Sequence, residues 1–333
     1  MNVGLYLTGA ADSTHEALLA QAEEAERVGF DSVWLRERHF HPDHEGRNFF
    51  ASPFLAAAFI TSRTSRIRVG IGARILPLDH PIHLAEAGAT LDVLSGGRVD
   101  FGIARVGEND LYERAFGVRV DETRERFEET LEILMRAWTE ERFSFEGRHF
   151  LIPEVSVYPR PVSEPRPSIF LVGITPGTLA FGAARGLPLL IAAAQSRGVV
   201  AETQETYRNL LDDAGFEAED VVCPVNRFVY VAETNAEAER DMRDTLMGFI
   251  HRDGSVIRDF LKLPASEITY ELLANEVCIF GDAETCRERI LELREQIDLR
   301  NLICTFNYFT VDQDRCRASM QRFSEQVLPA LAA

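Results

Sequence analysis

The sequence contains no C-x-x-C pair of cysteines. Its five cysteines all lie in the last third of the chain, and no two of them are separated by just two residues. An odd number of cysteines without such pairs argues against both a disulfide framework and a zinc site. We therefore predict that the thiols are buried and unpaired and that they bind no metal.

Positive charge is also scarce. The chain has 35 Lys and Arg residues against 53 Asp and Glu residues, which gives a net charge of −18 at pH 7. Non-specific binding to nucleic acid or to an anionic membrane requires clustered basic residues, so we expect neither partner. An anionic cofactor would need a local basic pocket.

Long apolar segments are missing as well. The first residues, MNVGLYLTGA, have neither the basic start nor the apolar core of a signal peptide, and no run is long enough to span a membrane. A cytoplasmic location is the expectation. No G-x-G-x-x-G motif follows a strand candidate, so the chain carries no fingerprint for a nicotinamide dinucleotide.

Short apolar runs alternate along the chain with segments that have helical spacing. With 46% hydrophobic residues the chain can bury a large core. The strand candidates are VGLYL, DSVWL, IRVGIG, VDFGIA, SIFLVG, LPLLIA, VNRFVYVA and NLICTF. This alternation predicts an α/β fold, a closed (β/α)8 TIM barrel with insertions after some strands, in a single domain over residues 1–333. An open, doubly wound parallel sheet is the alternative.

Three segments interrupt this alternation. Residues 142–152 have the pattern of a β-hairpin that turns at Glu146 and Gly147, and residues 158–167 form a proline-rich, extended connector. Residues 250–276 have weak periodicity, and we interpret them as an insertion beside a late strand. Insertions of this kind in barrels tend to act as lids over active sites.

The residues that follow the strand candidates are the candidate site, because catalysis in parallel barrels takes place at the carboxyl ends of the strands. Thr175, Gly177 and Thr178 precede a predicted helix and offer hydroxyl and backbone N–H groups to an anion. Ordinary N-capping is the alternative. Arg105, at a strand end, and Arg124, near a helix start, can bind the same phosphate or can each form a surface ion pair.

The loop 36–44 follows the second strand candidate and is rich in ionisable residues. Glu37 and His39 are candidates for hydrogen bonding or acid–base chemistry, because histidine titrates near neutral pH. His39, His41 and His44 are spaced closely enough to suit a zinc or iron site instead. A solvated polar loop is the third interpretation, and it is preferred for His41 and His44.

Six segments of the chain match one known family in order and spacing. They are GFDSVWLRERHF, RVGIGARILPLDHP, LDVLSGGRVDFGIAR, FLVGITPGTLAFGAARGLP, FGDAETCRERI and VLPAL. The chain thus resembles the bacterial-luciferase-like family of flavin-dependent monooxygenases over nearly its whole length. The resemblance implies a (β/α)8 barrel that binds reduced FMN, reacts with O2 through a flavin 4a-hydroperoxide and oxidises a small organic substrate.

The resemblance also implies roles for individual residues. The positions that match the family's site for the FMN phosphate are Arg105, Arg124, Thr175 and Thr178. Gly72 and Ala73 fall where the family has a non-proline cis peptide bond beside the flavin ring. Glu37 matches a glutamate near the flavin.

Three positions depart from the family pattern. The family's catalytic histidine is replaced by Arg38, its reactive cysteine by Ala104 and an acidic residue at the phosphate site by Ile174, whereas a second histidine is kept as His39. Arginine stays protonated at neutral pH and cannot act as a general base, which argues against aldehyde oxidation with light emission. Arg38 either pairs with Glu37 or recognises an anionic or carbonyl-bearing substrate.

Other functions are compatible with these residues. One is an oxidoreductase of the same superfamily that transfers hydride with the deazaflavin F420, and another is a non-catalytic flavin-binding protein. A metal-dependent hydrolase is a third, suggested by His39 and His41. For the monooxygenase, the missing dinucleotide fingerprint implies that a separate reductase supplies the reduced FMN, if only by diffusion of the flavin. The resemblance further implies a homodimer, and the sequence does not identify the substrate.

Overall fold

The computed structural model describes residues 1–8, 13–40, 50–105, 110–253, 263–264, 267–307 and 311–331. The chain comprises two compact units. Unit 1 is built mainly from Met1–Trp34 and Leu171–Ala333, and unit 2 from Leu35–His44 and Phe49–Phe170. The prediction of a single domain over residues 1–333 stays a prediction.

Strands and helices alternate along the chain, which confirms the predicted α/β organisation. The strands are β1 (Asn2–Leu7), β2 (Ser32–Leu35), β3 (Arg68–Ile75), β4 (Val99–Ala104), β5 (Phe143–Glu146), β6 (Leu151–Val155), β7 (Ser168–Val172), β8 (Leu189–Leu190), β9 (Val225–Val231), β10 (Cys278–Gly281) and β11 (Asn301–Thr305). The α-helices are α1 (His15–Val28), α2 (Pro53–Arg63), α3 (Pro81–Ser95), α4 (Asp110–Phe116), α5 (Thr123–Thr139), α6 (Pro176–Ala183), α7 (Arg197–Asp213), α8 (Asn235–Asp253), α9 (Tyr270–Glu276), α10 (Ala283–Gln296), α11 (Gln313–Arg322) and α12 (Leu328–Leu331).

All eight strand candidates contain a strand of the structure, but the sequence alone does not predict β10. This strand pairs in parallel with β9, and Cys278 lies opposite Phe228. It has only four residues, which is shorter than most strands, and it follows helix α9 after a single residue. The predicted hairpin is confirmed, because β5 and β6 pair antiparallel.

Parallel pairing organises the strands of unit 1. Strand β1 pairs with β11, β11 with β9, and β9 with β10. Strand β7 pairs with β8 through Leu171 and Leu189, and Ile191, just beyond β8, forms a parallel bridge to Val225 in β9. Parallel neighbours need long crossover connections, which helices such as α7 and α8 supply.

Part of the predicted insertion at residues 250–276 belongs to the hydrophobic core of unit 1. Helix α9 buries Tyr270 and Leu273 in a cluster that includes Phe228 and Met242. Helix α8 ends at Asp253, and residues 254–262 and 265–266 lie outside the described ranges. The predicted lid at about residues 250–276 stays a prediction, whereas α9, within that range, contributes to packing.

The core of unit 2 is centred on Trp138, which is 2% exposed. Its ring centroid lies 5.0 Å from that of Phe101 in β4, and its Nε1 donates a hydrogen bond to the carbonyl of Ala85 at 3.0 Å. A Cβ at Gly88 of helix α3 would lie 2.7 Å from this indole ring. Helix α3 therefore approaches Trp138 closely because residue 88 has no side chain.

Two carboxylates anchor the irregular segments of unit 2. The Glu129 carboxylate accepts the backbone N–H groups of residues 148–150 in the turn between β5 and β6, at 2.7–3.1 Å. Asp92 of helix α3 accepts the N–H groups of Val162 and Ser163 at 2.7 and 2.9 Å, together with the Ser163 hydroxyl at 2.6 Å. The hairpin is thus hydrogen-bonded to helix α5 and the proline-rich connector to helix α3.

Two expectations drawn from composition can be compared with the structure. All five cysteines are free, and four of them are buried, as predicted. Burial raises the pKa of the Cys286 thiol to about 12, so this thiol stays protonated and is a poor nucleophile. Within the described part of the chain, no helix combines the length and the apolar character needed to cross a membrane.

Candidate active site

Glu37 and His39 form a buried hydrogen-bonded pair just beyond β2. The Glu37 side chain is fully buried, and its Oε1 lies 2.7 Å from Nε2 of His39, whose side chain is 16% exposed. Glu37 also forms a parallel bridge with Phe50, which fixes the backbone after the strand ends. A carboxylate in this position orients the imidazole and accepts its hydrogen. The structure thus brings together two of the three predicted catalytic residues.

Arg74 compensates the charge of the buried Glu37 carboxylate. Its Nη1 lies 2.5 Å from Glu37 Oε1, and its Nη2 contacts Asp79. The other carboxylate oxygen of Glu37 accepts the backbone N–H of Ile75 at 2.9 Å. A buried carboxylate is stable only when it is paired and hydrogen-bonded in this way. The sequence alone does not predict Arg74; its signal was an arginine after the apolar run of the strand, with an aspartate five residues later.

An irregularity in β3 determines where Arg74 projects. Ile71 lies opposite Phe101 and Arg74 lies opposite Ile103, so two residues of β3 face the single Gly102 of β4. Partners in register share a face of the sheet, so Arg74 lies on the face of Ile71, which regular alternation would not allow. A Cβ at Gly102 would collide with the Ile71 carbonyl oxygen. Only glycine fits opposite the irregularity.

Gly72 and Ala73 are the two residues inside this irregularity. The peptide bond between them is cis. This observation confirms the backbone geometry that the resemblance implies for these two positions. Their place beside a flavin ring stays a prediction.

Aromatic rings surround His39 on its other sides. Tyr112 and Phe116 lie four residues apart on helix α4, and their ring centroids are 5.9 and 4.9 Å from that of the imidazole. The Phe40 ring is 6.0 Å from Tyr112 and 5.6 Å from Phe116. Phe40 has φ 52°, in a region that bulky residues rarely adopt. The i, i+4 spacing of Tyr112 and Phe116 was the sequence signal for this contribution, although it did not indicate the contact with His39.

The loop 36–44 carries three further candidate residues that the sequence predicts. Arg38, the third predicted catalytic residue, is half-buried. His41 and His44 lie outside the described residues, so the metal alternative for this loop stays a prediction. Among the residues that the structure describes, no three His, Cys, Asp or Glu side chains are grouped as metal ligands.

Arg105 and Arg124, the two arginines that the sequence predicts as phosphate ligands, both lie in unit 2. Arg105 follows β4, and its Nη1 reaches Thr123 Oγ1 at 3.5 Å. Thr123 is the first residue of α5 and directly precedes Arg124, which is exposed and pairs with Glu128 at 3.0 Å. The structure therefore brings Arg105 to the helical turn that carries Arg124.

Thr175, Gly177 and Thr178 lie at the start of helix α6 in unit 1. Thr175 is the N-cap residue, and its Oγ1 accepts the N–H of Thr178 at 3.3 Å and lies 2.8 Å from Thr178 Oγ1. The N-capping interpretation is confirmed. Capping does not exclude anion binding, because Thr175 and Gly177 are exposed and the N–H groups of a first turn carry partial positive charge.

These donors suit the chemistry of a phosphate group. Arg105 and Arg124 supply planar cationic donors in unit 2, which form short bonds with phosphate oxygens. Thr175 and Thr178 supply hydroxyls at a helix N-terminus in unit 1. The ion pair between Arg124 and Glu128 is exposed, and such pairs are weak enough to be exchanged for a stronger anion.

Parallel strands that alternate with helices define a TIM-barrel-like α/β fold, and the Glu37–His39 pair lies just beyond the end of one strand. Residues 1–299 match the model of the luciferase-like monooxygenase family. The chain belongs to this family.

Individual relatives extend over nearly the whole chain. The alkanal monooxygenase alpha chain of the Kryptophanaron alfredi symbiont is 27% identical over 337 residues, covering 94% of this chain and 91% of the relative. The monooxygenase RslO1 from Streptomyces bottropensis, known from a crystal structure, is 26% identical in sequence. Its structure matches with a TM-score of 0.86, and the match covers 99% of this chain and 100% of that one. Both proteins are relatives to which this chain is similar, and neither likeness assigns a substrate to it.

Two more distant structures share the fold alone. One is the oxygenating constituent of 3,6-diketocamphane monooxygenase from Pseudomonas putida, a type II Baeyer–Villiger monooxygenase in complex with FMN, with 20% identity, a TM-score of 0.80, and coverage of 99% of this chain and 98% of that one. The other is an F420-dependent secondary alcohol dehydrogenase, with 18% identity, a TM-score of 0.78, and coverage of 99% and 98%. The same fold therefore holds two different flavin-type cofactors.

Proposed function

We propose that the protein is a flavin-dependent monooxygenase that uses reduced FMN and O2 to oxidise a small organic substrate. The observation that carries the proposal is the buried Glu37–His39 pair, which is held by the residues that directly follow the Gly72–Ala73 peptide, in a chain of the luciferase-like family. Bound reduced FMN supplies the activation of O2, through the flavin 4a-hydroperoxide that the resemblance implies.

The cofactor-binding residues of this proposal fall into two groups. Those that hold the FMN phosphate are Arg105, Arg124, Thr175, Gly177 and Thr178. Gly72 and Ala73 lie beside the flavin ring. The support for the first group is chemical, because guanidinium groups, hydroxyls and a helix N-terminus are the donors that phosphate prefers.

The catalytic residues are Glu37, Arg38 and His39. His39 exchanges a proton with the reactants, and Glu37 orients its ring and balances the charge of the imidazolium. Arg38 recognises an anionic or carbonyl-bearing group of the substrate, because it stays protonated and offers planar donors.

A separate reductase supplies the reduced FMN. The sequence carries no dinucleotide fingerprint for a nicotinamide cofactor, so the chain cannot be expected to reduce its own flavin. The similar fold of a protein named as an oxygenating constituent supports a two-component system. Diffusion of the flavin between the two proteins is sufficient.

Anaerobic titration of the purified chain with photoreduced FMN, and in parallel with reduced riboflavin, tests the proposal. We expect FMN to bind at least about tenfold more tightly than riboflavin, because one charge-assisted hydrogen bond to the phosphate contributes roughly 1.5–3 kcal/mol. Mixing the FMN complex with oxygenated buffer is then expected to give a transient absorbance of the hydroperoxide. Absence of FMN binding would refute the proposal.

Variants locate the phosphate site in the same experiment. Arg105→Met and Arg124→Met are each expected to lower the affinity for reduced FMN about tenfold or more and to leave the affinity for riboflavin unchanged. Arg119→Met is the matched control, since Arg119 is an exposed arginine that pairs with Asp121, and it should change neither affinity. Arg38→Ala is expected to keep both affinities while substrate-dependent turnover falls. Equal losses with both flavins would contradict the phosphate assignment.

An F420-dependent oxidoreductase is the second candidate function. The observation in its favour is the shared fold with an F420-dependent alcohol dehydrogenase. Consumption of O2 separates the two functions, because hydride transfer with F420 does not use it. Flavin binding without turnover would indicate a non-catalytic flavin-binding protein instead.

A further inference from the structure

The two ring nitrogens of His39 have different surroundings. Nε2 lies 2.7 Å from Glu37 Oε1, whereas Nδ1 has no hydrogen-bond partner in the part of the chain that the structure describes. An ionised carboxylate accepts hydrogen bonds and cannot donate them, so Nε2 carries the hydrogen when the imidazole is neutral. The lone pair is then on Nδ1.

Arg74 fixes the carboxylate that holds Nε2. Its guanidinium bridges Glu37 and Asp79, and its Cζ lies 5.6 Å from the centroid of the Phe54 ring. The Ile75 N–H engages the second oxygen of Glu37, so the carboxylate cannot rotate without losing a bond. Arg74 therefore acts on His39 only through Glu37.

Tyr112 fixes the main chain of His39. Its hydroxyl accepts a hydrogen bond from the His39 N–H at 3.1 Å and donates one to the His39 carbonyl oxygen at 3.0 Å. These backbone groups lie beyond the end of β2 and pair with no strand among the residues that the structure describes, so the hydroxyl satisfies both of them. The rings of Tyr112 and Phe116 flank the imidazole and limit its rotation.

We infer that His39 acts on the reactants through Nδ1, and that Arg74 and Tyr112 are positioning residues that keep this nitrogen available. Nδ1 accepts a proton when the ring is neutral and donates it when the ring is protonated, while Glu37 balances the positive charge. The identity of the reactants rests on the proposed function. The ring geometry, however, belongs to the chain without flavin, so it can be tested independently.

The test is a long-range ¹H–¹⁵N correlation spectrum of the flavin-free, full-length protein labelled at its eight histidines. The spectrum is recorded in mildly alkaline buffer, in which free imidazole is neutral. His39→Gln assigns the His39 signals by their disappearance. We expect the Nε2–H tautomer to exceed the Nδ1–H tautomer about tenfold or more, as one charge-assisted hydrogen bond would produce.

The positioning residues are tested by substitution. Tyr112→Phe removes only the hydroxyl and keeps the ring, and Arg74→Met removes the guanidinium; both are expected to lower the tautomer ratio at least about threefold, because each loosens one constraint on the pair. Arg74→Lys should restore part of the ratio by keeping a cation near Glu37. Tyr158→Phe and Arg142→Met are the matched controls on exposed residues of unit 2 and should leave the ratio unchanged.

Each outcome decides the inference. A dominant Nδ1–H tautomer in the unsubstituted protein overturns it, and so does an unchanged ratio in both Tyr112→Phe and Arg74→Met. If Arg74→Met does not fold, Arg74→Lys and Tyr112→Phe carry the decision. Because no flavin is present, failure of FMN binding would refute the proposed function and leave the tautomer result intact.

Discussion

Arg227 is a buried cation without a carboxylate partner among the described residues. It lies in β9, is 1% exposed, and donates through Nη1 to the carbonyl of the neighbouring Asn226, while its Nη2 has no hydrogen-bond partner. Burial lowers the pKa of its guanidinium to about 10, and the nearby Arg197 adds repulsion. A buried, unpaired charge of this kind destabilises the folded state.

We predict that Arg227→Met stabilises the protein. Because the pKa in the folded state is lower than in the unfolded chain, the unfolded chain binds the proton more tightly, and the folded state carries the full penalty at neutral pH. The lowering of the pKa from the ordinary value of arginine to about 10 corresponds to roughly 3 kcal/mol, so we expect a gain of about 1–3 kcal/mol in the free energy of unfolding. Urea unfolding measures it.

The matched control for this prediction is Arg300→Met. Arg300 has a carboxylate partner, with Nη2 2.7 Å from Asp298, and its removal should not raise stability. The penalty at Arg227 should also fade as the pH rises above about 10, because the folded state loses the Arg227 proton before the unfolded chain does. Lower stability of Arg227→Met at neutral pH would contradict the prediction.

For single residues of the site, local motifs predicted those that lie close together in the chain. Glu37 and His39 are two positions apart, and their types and spacing indicated a shared role. The Ile75 N–H and the Tyr112 hydroxyl, which complete the site, lie 38 and 73 positions from their partners. No pattern in a single sequence encodes contacts over such separations, so Arg74 and Tyr112 emerged only from the folded chain.

Among the secondary-structure elements, the ends of helices α2 and α3 are joined by one side chain. Arg98 donates to the carbonyls of Thr61 and Thr64 near the end of α2 at 2.8 and 3.1 Å, to Ile67 at 3.0 Å, and to Ser95 at the end of α3 at 2.8 Å. The last carbonyls of a helix lack partners within the helix. Arg98 satisfies them for two helices at once.

We predict that Arg98→Lys lowers the free energy of unfolding by about 2–4 kcal/mol. A lysine has one compact ammonium and cannot reach all four carbonyls, so carbonyl groups would be left unsatisfied. Chemical denaturation with urea measures the loss. Arg142→Lys is the control, since Arg142 is exposed and pairs with the exposed Glu154. A loss in Arg98→Lys as small as the loss in Arg142→Lys would refute the role of Arg98.

The sequence predicted those helices and strands that have a strong local pattern, and it missed those that do not. The hairpin at residues 142–152 was predicted because Glu146 and Gly147 mark its turn, and the structure adds the Glu129 carboxylate that binds the turn. Strand β10 and helix α9 were missed, because short segments give little periodicity and tertiary packing against β9 decides their conformation.

For the molecule as a whole, helices α2 and α3 of unit 2 expose apolar side chains. Leu55 is 74% exposed and Phe59 is 40% exposed, and they lie four residues apart on α2. Leu94, near the end of α3, is 68% exposed. Exposed apolar groups on neighbouring helices are typical of protein–protein interfaces, which supports the homodimer that the resemblance implies.

We predict that Leu55→Glu combined with Leu94→Glu converts a dimer to a monomer. Two buried carboxylates on each side of the interface would lack partners and would repel each other. Light scattering after size exclusion should show the mass falling from that of two chains to the 37.4 kDa of one. Leu291→Glu, at a 42% exposed position of unit 1, should leave the mass unchanged. A monomer in the unsubstituted protein would refute the prediction.

The two tryptophans of the chain divide evenly between the two units. Trp34 belongs to unit 1 and Trp138 to unit 2, and both are almost fully buried and hydrogen-bonded through Nε1. Trp34→Phe and Trp138→Phe therefore each leave one fluorophore, whose emission shifts to the red when its own unit unfolds. Coincident transitions would mean that residues 1–333 unfold as one cooperative domain, and separate transitions would assign each unit its own stability.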